Sequence, residues 1–157
     1  MQNSLFNVVN EDMTSNDYYT PKWLFDAMGL EFDIDVAAPV HGIPWIPAKR
    51  WFSQAEDGLA QDWGGELVWM NPPFSKPGPW VDKFIKNNNG IALICTSKAK
   101  WYKQLWDQAQ GLLTVDSSFK FIRPDEVRSD IFMPTVLASM GDIATNALIK
   151  SKLGRVR

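Results

Sequence analysis

Leu67-Val68-Trp69-Met70-Asn71-Pro72-Pro73-Phe74 is the stretch on which the fold turns. Its first four residues form an unbroken apolar run, which reads as a strand buried on both faces. Asn-Pro-Pro then stops the run, because proline has no N–H to continue a ladder and restricts the residue before it. A buried strand ending this way presents three groups at one point. They are the side-chain amide oxygen of Asn71, a backbone carbonyl that no following N–H can tie up locally, and the flat ring of Phe74. Together these can hold the exocyclic amine of a planar heterocycle and stack on its face, which is what methylation of a base amino group requires. The plainer reading is a strand closed by an Asn-Pro turn, so the remainder of the chain has to decide.

On the N-terminal side, Thr20-Pro21 reads as a helix cap followed by proline in the first turn, with Trp23, Leu24, Ala27 and Met28 at helical spacing and Gly29 placed to end the helix. Phe32, Ile34 and Val36 alternate with Asp33 and Asp35, the period of a strand, and Ala37-Ala38-Pro39 ends it. Residues 40–65 form a long stretch rich in Pro and Gly, too long for a passive connector and therefore expected to be functional, with a short strand near residues 49–52. On the C-terminal side the pattern predicts a helix over 79–87, a strand over 91–95, a helix over 101–108, strands over 112–115, 119–122 and 135–140, and a last helix capped by Asp142. This alternation predicts an α/β fold, a mostly parallel sheet with an antiparallel edge and helices on both faces. Residues 1–16 are polar and without period, so they are expected to form a flexible arm ahead of a single domain over 17–157.

At 157 residues the chain is long enough for one substantial core, and its apolar runs are too short to span a membrane. Nothing at the N-terminus marks it for secretion, so a cytoplasmic location is expected, in a host cell if the chain is phage-encoded. One cysteine, Cys95, lies in an apolar run; it excludes an internal disulfide and any Cys-rich zinc site, and reads as a buried thiol. The single histidine, His41, has no partner in sequence. A net charge of −2 argues against coating nucleic acid by bulk electrostatics, but leaves room for a local basic face. Most of the eight tryptophans are expected in the core.

In open α/β sheets ligands bind beyond the carboxyl ends of strands. Asp35-Val36-Ala37-Ala38, then Asp57-Gly58-Leu59 with Asp62-Trp63, and finally Asn71–Phe74 sit at such ends or lead into them. A carboxylate beside a ring suits a nucleoside, the acid accepting from hydroxyls or an amine and the ring packing on the base. Singly each is more commonly structural; it is their order in one small domain that points to a two-ligand site.

The chain resembles the phage-type Dam family of DNA adenine-N6 methyltransferases. The resemblance rests on Tyr18-Tyr19-Thr20-Pro21-Lys22-Trp23-Leu24-Phe25, Phe32-Asp33-Ile34-Asp35-Val36-Ala37-Ala38, Asp57-Gly58-Leu59-Ala60-Gln61-Asp62-Trp63 and Val68-Trp69-Met70-Asn71-Pro72-Pro73-Phe74. It implies a Rossmann-like class I methyltransferase fold, DNA as partner, S-adenosylmethionine as methyl donor, no metal, and a role as a phage-encoded modification enzyme. By position it implies that Asn71, Pro72, Pro73 and Phe74 are catalytic. It likewise implies that Tyr19, Thr20, Pro21, Asp35, Ala37, Asp57, Asp62 and Trp63 bind the donor. Lys76, Lys98 and Lys100 are the candidates for the DNA backbone, with Lys103 and the cationic tail behind them. Asp-Val-Ala-Ala stands where many methyltransferases carry a glycine-rich loop. There is no room for a separate recognition domain, so sequence preference is expected to come from loops. Asn-Pro-Pro-aromatic also serves other planar amines, so cytosine N4, an RNA base and a protein glutamine stay open as acceptors, as does a DNA-binding relative that has lost catalysis.

Overall fold

The computed structural model describes residues 18–116, 118–123, 128–129 and 134–157; the expected N-terminal arm lies outside them. In chain order the elements are α1 (Lys22–Met28), β1 (Phe32–Asp35), β2 (Ala48–Trp51), β3 (Val68–Met70), α2 (Gly78–Asn87), β4 (Gly90–Cys95), α3 (Lys100–Gln108), β5 (Gly111–Thr114), β6 (Phe121–Ile122), β7 (Arg128–Ser129), β8 (Thr135–Met140) and α4 (Asp142–Ser151). Helix α1 begins one residue later than its sequence predicts. Pro21 takes the cap position in extended backbone, with φ −71° and ψ 151°, and Thr20 is drawn elsewhere. The helix stops at Gly29, whose left-handed φ of 58° lets its N–H reach the Phe25 carbonyl at 2.9 Å.

Six strands make one sheet in the order β2-β1-β3-β4-β8-β5. β1 pairs in parallel with β2 and β3, and β3 with β4, whereas β8 runs antiparallel to β4 and β5. The antiparallel character therefore sits at the far edge, as the closely spaced late strands predict. β6 departs from expectation. It leaves the main sheet, pairs with β7, and makes an antiparallel bridge to Tyr19.

Successive residues of the central strands face opposite sides. Trp69, Ile91, Leu93 and Leu137 pack with Phe25 of α1 and Leu148 of α4. Val68, Met70, Ala92 and Ile94 pack with Val81 and Phe84 of α2 and Leu105 of α3. Cover on both faces is why β3 and β4 read as continuous apolar runs. A fully buried side chain such as Phe84 contributes about 1.5–3 kcal/mol. The five ion pairs among the described residues join exposed or half-exposed groups, worth about 0–1 kcal/mol each, so the core holds the fold.

From β1 the chain moves outward to β2 and returns on the other side as β3. The sheet's switch point therefore lies between β1 and β3, the place where open α/β sheets bind ligands beyond the carboxyl ends. Asp35 and Asn71 stand at those two ends.

Candidate active site

Asn71 follows directly on β3, and its amide is held by the segment that precedes α1. Nδ2 donates to the Tyr18 carbonyl at 3.0 Å and to Thr20 Oγ1 at 3.4 Å. A carbonyl can only accept, so the Tyr18 contact fixes which end of the amide is nitrogen. Oδ1 is thereby turned the other way, where it is buried without a hydrogen-bond partner. Among the described residues only the Trp69 indole N–H shares that condition. A buried acceptor left open costs about 1–3 kcal/mol, which a donor-bearing ligand would recover. The Pro72 carbonyl likewise receives no hydrogen bond among the described residues.

The segment that holds the amide is itself tied down. Tyr19 exchanges two backbone hydrogen bonds with Ile122 of β6, at 2.7 and 2.8 Å. Thr20 is fully buried, and its carbonyl accepts the Trp45 indole N–H at 2.7 Å. Of the segment before α1, Tyr18 and Thr20 thus meet Asn71 directly. Phe74 does not present a free face. The Tyr18 ring stacks on it at 5.6 Å and 20°, and Phe121 meets it edge-on at 5.8 Å.

At the end of β1, Asp35 is buried, and one carboxylate oxygen accepts the Ala37 N–H at 3.3 Å. Loss of water pushes its carboxyl up to about 7 against the pull of that bond. It borders a cavity of about 140 Å³ lined also by His41, Gly42, Ile43, Ile46 and Trp51. Gly42 is left-handed at φ 66°, and a Cβ there would lie 2.9 Å from the Trp51 ring, so only glycine lets the loop lie against that ring. A buried acid facing a cavity at a switch point is a common property of ligand sites.

The loop over 53–65 is built from turns. Asp57 is exposed, with a left-handed φ of 56°. Gly58 lies so close to the end of β1 that a Cβ would sit 1.9 Å from the Val36 carbonyl. The Gly58 carbonyl accepts the Trp63 indole N–H at 2.8 Å. The Trp63 ring is buried, stacked on Trp80 at 6.4 Å, with the Lys83 ammonium 5.1 Å above it. Lys83 also donates to the carbonyls of Leu59, at 2.9 Å, and Gln61. Asp62 is exposed and accepts the Gly64 N–H at 2.8 Å. The loop therefore meets β1 through Gly58, while the carboxylates of Asp57 and Asp62 face outward.

Lys76, Lys98 and Lys100 are exposed and make no ion pair among the described residues, unlike Lys103, which pairs with Asp107 at 2.7 Å. Gly78 at the start of α2 lies against Trp101 at the start of α3, so the segments that carry Lys76 and Lys100 run side by side beyond β3 and β4. Burial pushes the Cys95 thiol up to about 11, which leaves it inert as a nucleophile near neutrality. No group of three or more His, Cys, Asp or Glu side chains converges among the described residues, and no helix there is long and apolar enough to cross a membrane. Sequence reasoning gave no role to Tyr18, Trp45 or Lys83. Only the doubled tyrosine before Thr20-Pro21 carried a signal that could have found the first.

The sequence model of the family described as DNA N-6-adenine-methyltransferase (Dam) matches residues 9–134. Similar curated proteins include the DNA N-6-adenine-methyltransferase of Haemophilus phage HP1 (strain HP1c1), 27% identical over 109 residues, a match covering 63% of this chain and 61% of that protein. The DNA N-6-adenine-methyltransferase of Escherichia phage T1 is 26% identical over 93 residues, covering 55% and 38%. The matched region thus spans less than two thirds of either relative's length. No solved structure is a significant match.

Proposed function

We propose, from the premise that the chain belongs to the DNA N-6-adenine-methyltransferase (Dam) family, that it methylates the N6 amine of adenine in DNA with S-adenosylmethionine as donor. The observation that carries this reading is the buried, unpartnered Oδ1 of Asn71, aimed by two hydrogen bonds on its nitrogen. The names of the phage relatives support the same acceptor.

The amine of adenine is a poor nucleophile because its lone pair is delocalised into the ring. Asn71 Oδ1 and the Pro72 carbonyl would each accept one N6–H. Both bonds favour a tetrahedral nitrogen and offset the positive charge that develops on it. Pro73 supplies no N–H to compete for the Pro72 carbonyl, and Phe74 supplies the face on which a flipped base stacks. After transfer the nitrogen returns to neutrality by losing one proton to solvent. Positioning therefore does more than acid–base chemistry.

The donor supplies an electrophilic methyl group on a sulfonium. The residues present suit it: Asp35 offers a buried carboxyl to hydroxyls or an ammonium, and Ala37 leaves the backbone open to close approach. Tyr19, Thr20 and Pro21 would hold its methionine end. Asp57 and Asp62 contribute outward carboxylates, and Trp63 contributes through the loop it anchors. Lys76, Lys98 and Lys100 hold DNA phosphates. Residues 17–157 act as one methyltransferase domain, in the cytoplasm of a phage host.

Asn71→Ala is expected to abolish methylation while donor affinity, measured by calorimetry, stays near that of the parent. The measurement is methylation-aware sequencing of DNA from cells expressing each form, which reports base and sequence context together. Near-normal methylation by the variant, or N4-methylcytosine without N6-methyladenine from the parent, would overturn the assignment.

A further inference from the structure

We propose that Tyr18 is the second wall of the acceptor slot, so that the target base is held between the rings of Tyr18 and Phe74. This rests on the reading of Asn71–Phe74 as the acceptor motif. In the structure the two rings lie on one another at 5.6 Å with 20° between their planes, and Asn71 Oδ1 is buried without a partner. A base about 3.4 Å thick reaches that oxygen and either ring only if something moves. Phe121 is not the part that moves. It is 1% exposed and packed against Phe119 at 4.7 Å, and it meets Tyr18 and Phe74 edge-on, at 5.8 Å each. The Phe74 backbone follows two prolines. Tyr18 is half-buried, its ring held by packing alone and its backbone by hydrogen bonds: its carbonyl accepts from Asn71, and the next residue is bonded to Ile122 on both sides.

A side chain held by ring packing alone, on a pinned backbone, turns about Cα–Cβ without leaving the mouth of the slot. The ring parts from Phe74, admits the base, and closes on its other face already near parallel. In the base-free protein the same ring covers the apolar slot. Tyr18 thus links two events in one residue, since its carbonyl orients the acceptor amide and its ring takes the second face of the base.

The test compares Tyr18→Leu and Tyr18→Phe with the parent, using DNA from a strain without adenine methylation and radiolabelled donor. Leucine keeps the apolar contact with Phe74 and Phe121 but offers no ring. Expected for Tyr18→Leu is a fall of about tenfold to a hundredfold in kcat/KM for DNA, carried mainly by KM, the loss of one aromatic face on a base. Donor affinity and melting temperature stay near the parent's, and Tyr18→Phe stays near the parent in all three. Parent-like or faster methylation by Tyr18→Leu means the ring is only a plug and overturns the proposal. So does a matching loss of donor affinity, which would move Tyr18 to the donor side. If Asn71→Ala, assayed alongside, methylates normally, the acceptor-motif reading itself falls, whatever Tyr18 does.

Discussion

Asp35 keeps its proton further up the pH scale than a carboxyl in water does, and that difference is measurable. Burial lifts it from 3.8 to about 7, so the folded protein binds this proton more tightly than the unfolded chain. The stability linked to it is fully present below about pH 4 and is lost as pH rises through about 7, a span worth about 4 kcal/mol. The carboxyls of Asp33, Glu56 and Asp116 are held below their usual range by hydrogen bonds from Leu67 and Ser53 and from Ser118. Their contribution has the opposite sign and is confined to lower pH. Melting temperatures of the ligand-free protein are therefore expected to fall between about pH 5.5 and 7.5, and Asp35→Asn to flatten that slope. A flat profile in the parent would mean that Asp35 is already ionised. If the donor's ammonium or hydroxyls pair with this carboxylate, saturating donor is expected to flatten the slope as well.

At the scale of elements, one helix joins the two halves of the site. α2 begins seven residues after Asn71, and from its middle Lys83 reaches the carbonyls of Leu59 and Gln61 and covers the Trp63 ring. Lys83→Met keeps the aliphatic stem but leaves two carbonyls without their donor, a loss of about 1–2 kcal/mol. Amide exchange is expected to rise over 57–65 and donor affinity to fall, while residues 91–95 keep their protection; exchange measured by mass spectrometry distinguishes the two regions. A uniform change over both would make Lys83 a general stabiliser instead. The same elements mark what could be read in advance. The apolar run before Asn71 and the proline pair after it placed the motif at a strand end, because burial on both faces leaves a one-dimensional trace. The isolation of Asn71 Oδ1 leaves none: it depends on a Tyr18 carbonyl 53 residues away. Asp62-Trp63 reads as a nucleoside-binding pair, yet the ring is turned into the core and the carboxylate caps a turn. Residues 119–122 looked like one more strand of the main sheet because Phe119 and Phe121 are apolar. Their burial serves instead to clamp the segment before α1.

At the scale of the whole molecule, a net charge of −2 leaves little long-range attraction for a polyanion, so the proposed binding to DNA rests on where the cations stand. Lys22, Lys49, Arg50, Lys86 and Lys103 are taken up in ion pairs, whereas Lys76, Lys98 and Lys100, in the segments after β3 and β4, stand unpaired among the described residues. Replacing these three by glutamine is expected to weaken DNA binding across all sequences and to lower the slope of log affinity against log salt by about one for each phosphate no longer neutralised. Donor affinity should not change. A salt slope equal to the parent's would remove the three lysines from the interface. The strapping of Tyr18 and Tyr19 to Ile122 has a consequence in time as well as space. The segment that aims the Asn71 amide is strapped down only once Tyr19 and Ile122 have come together. A nascent chain still lacking residue 122 therefore carries the whole Asn71–Phe74 motif without the strap on the segment that aims it. Two fragments divided between α2 and β5 would each be silent, and activity would appear only on their reunion.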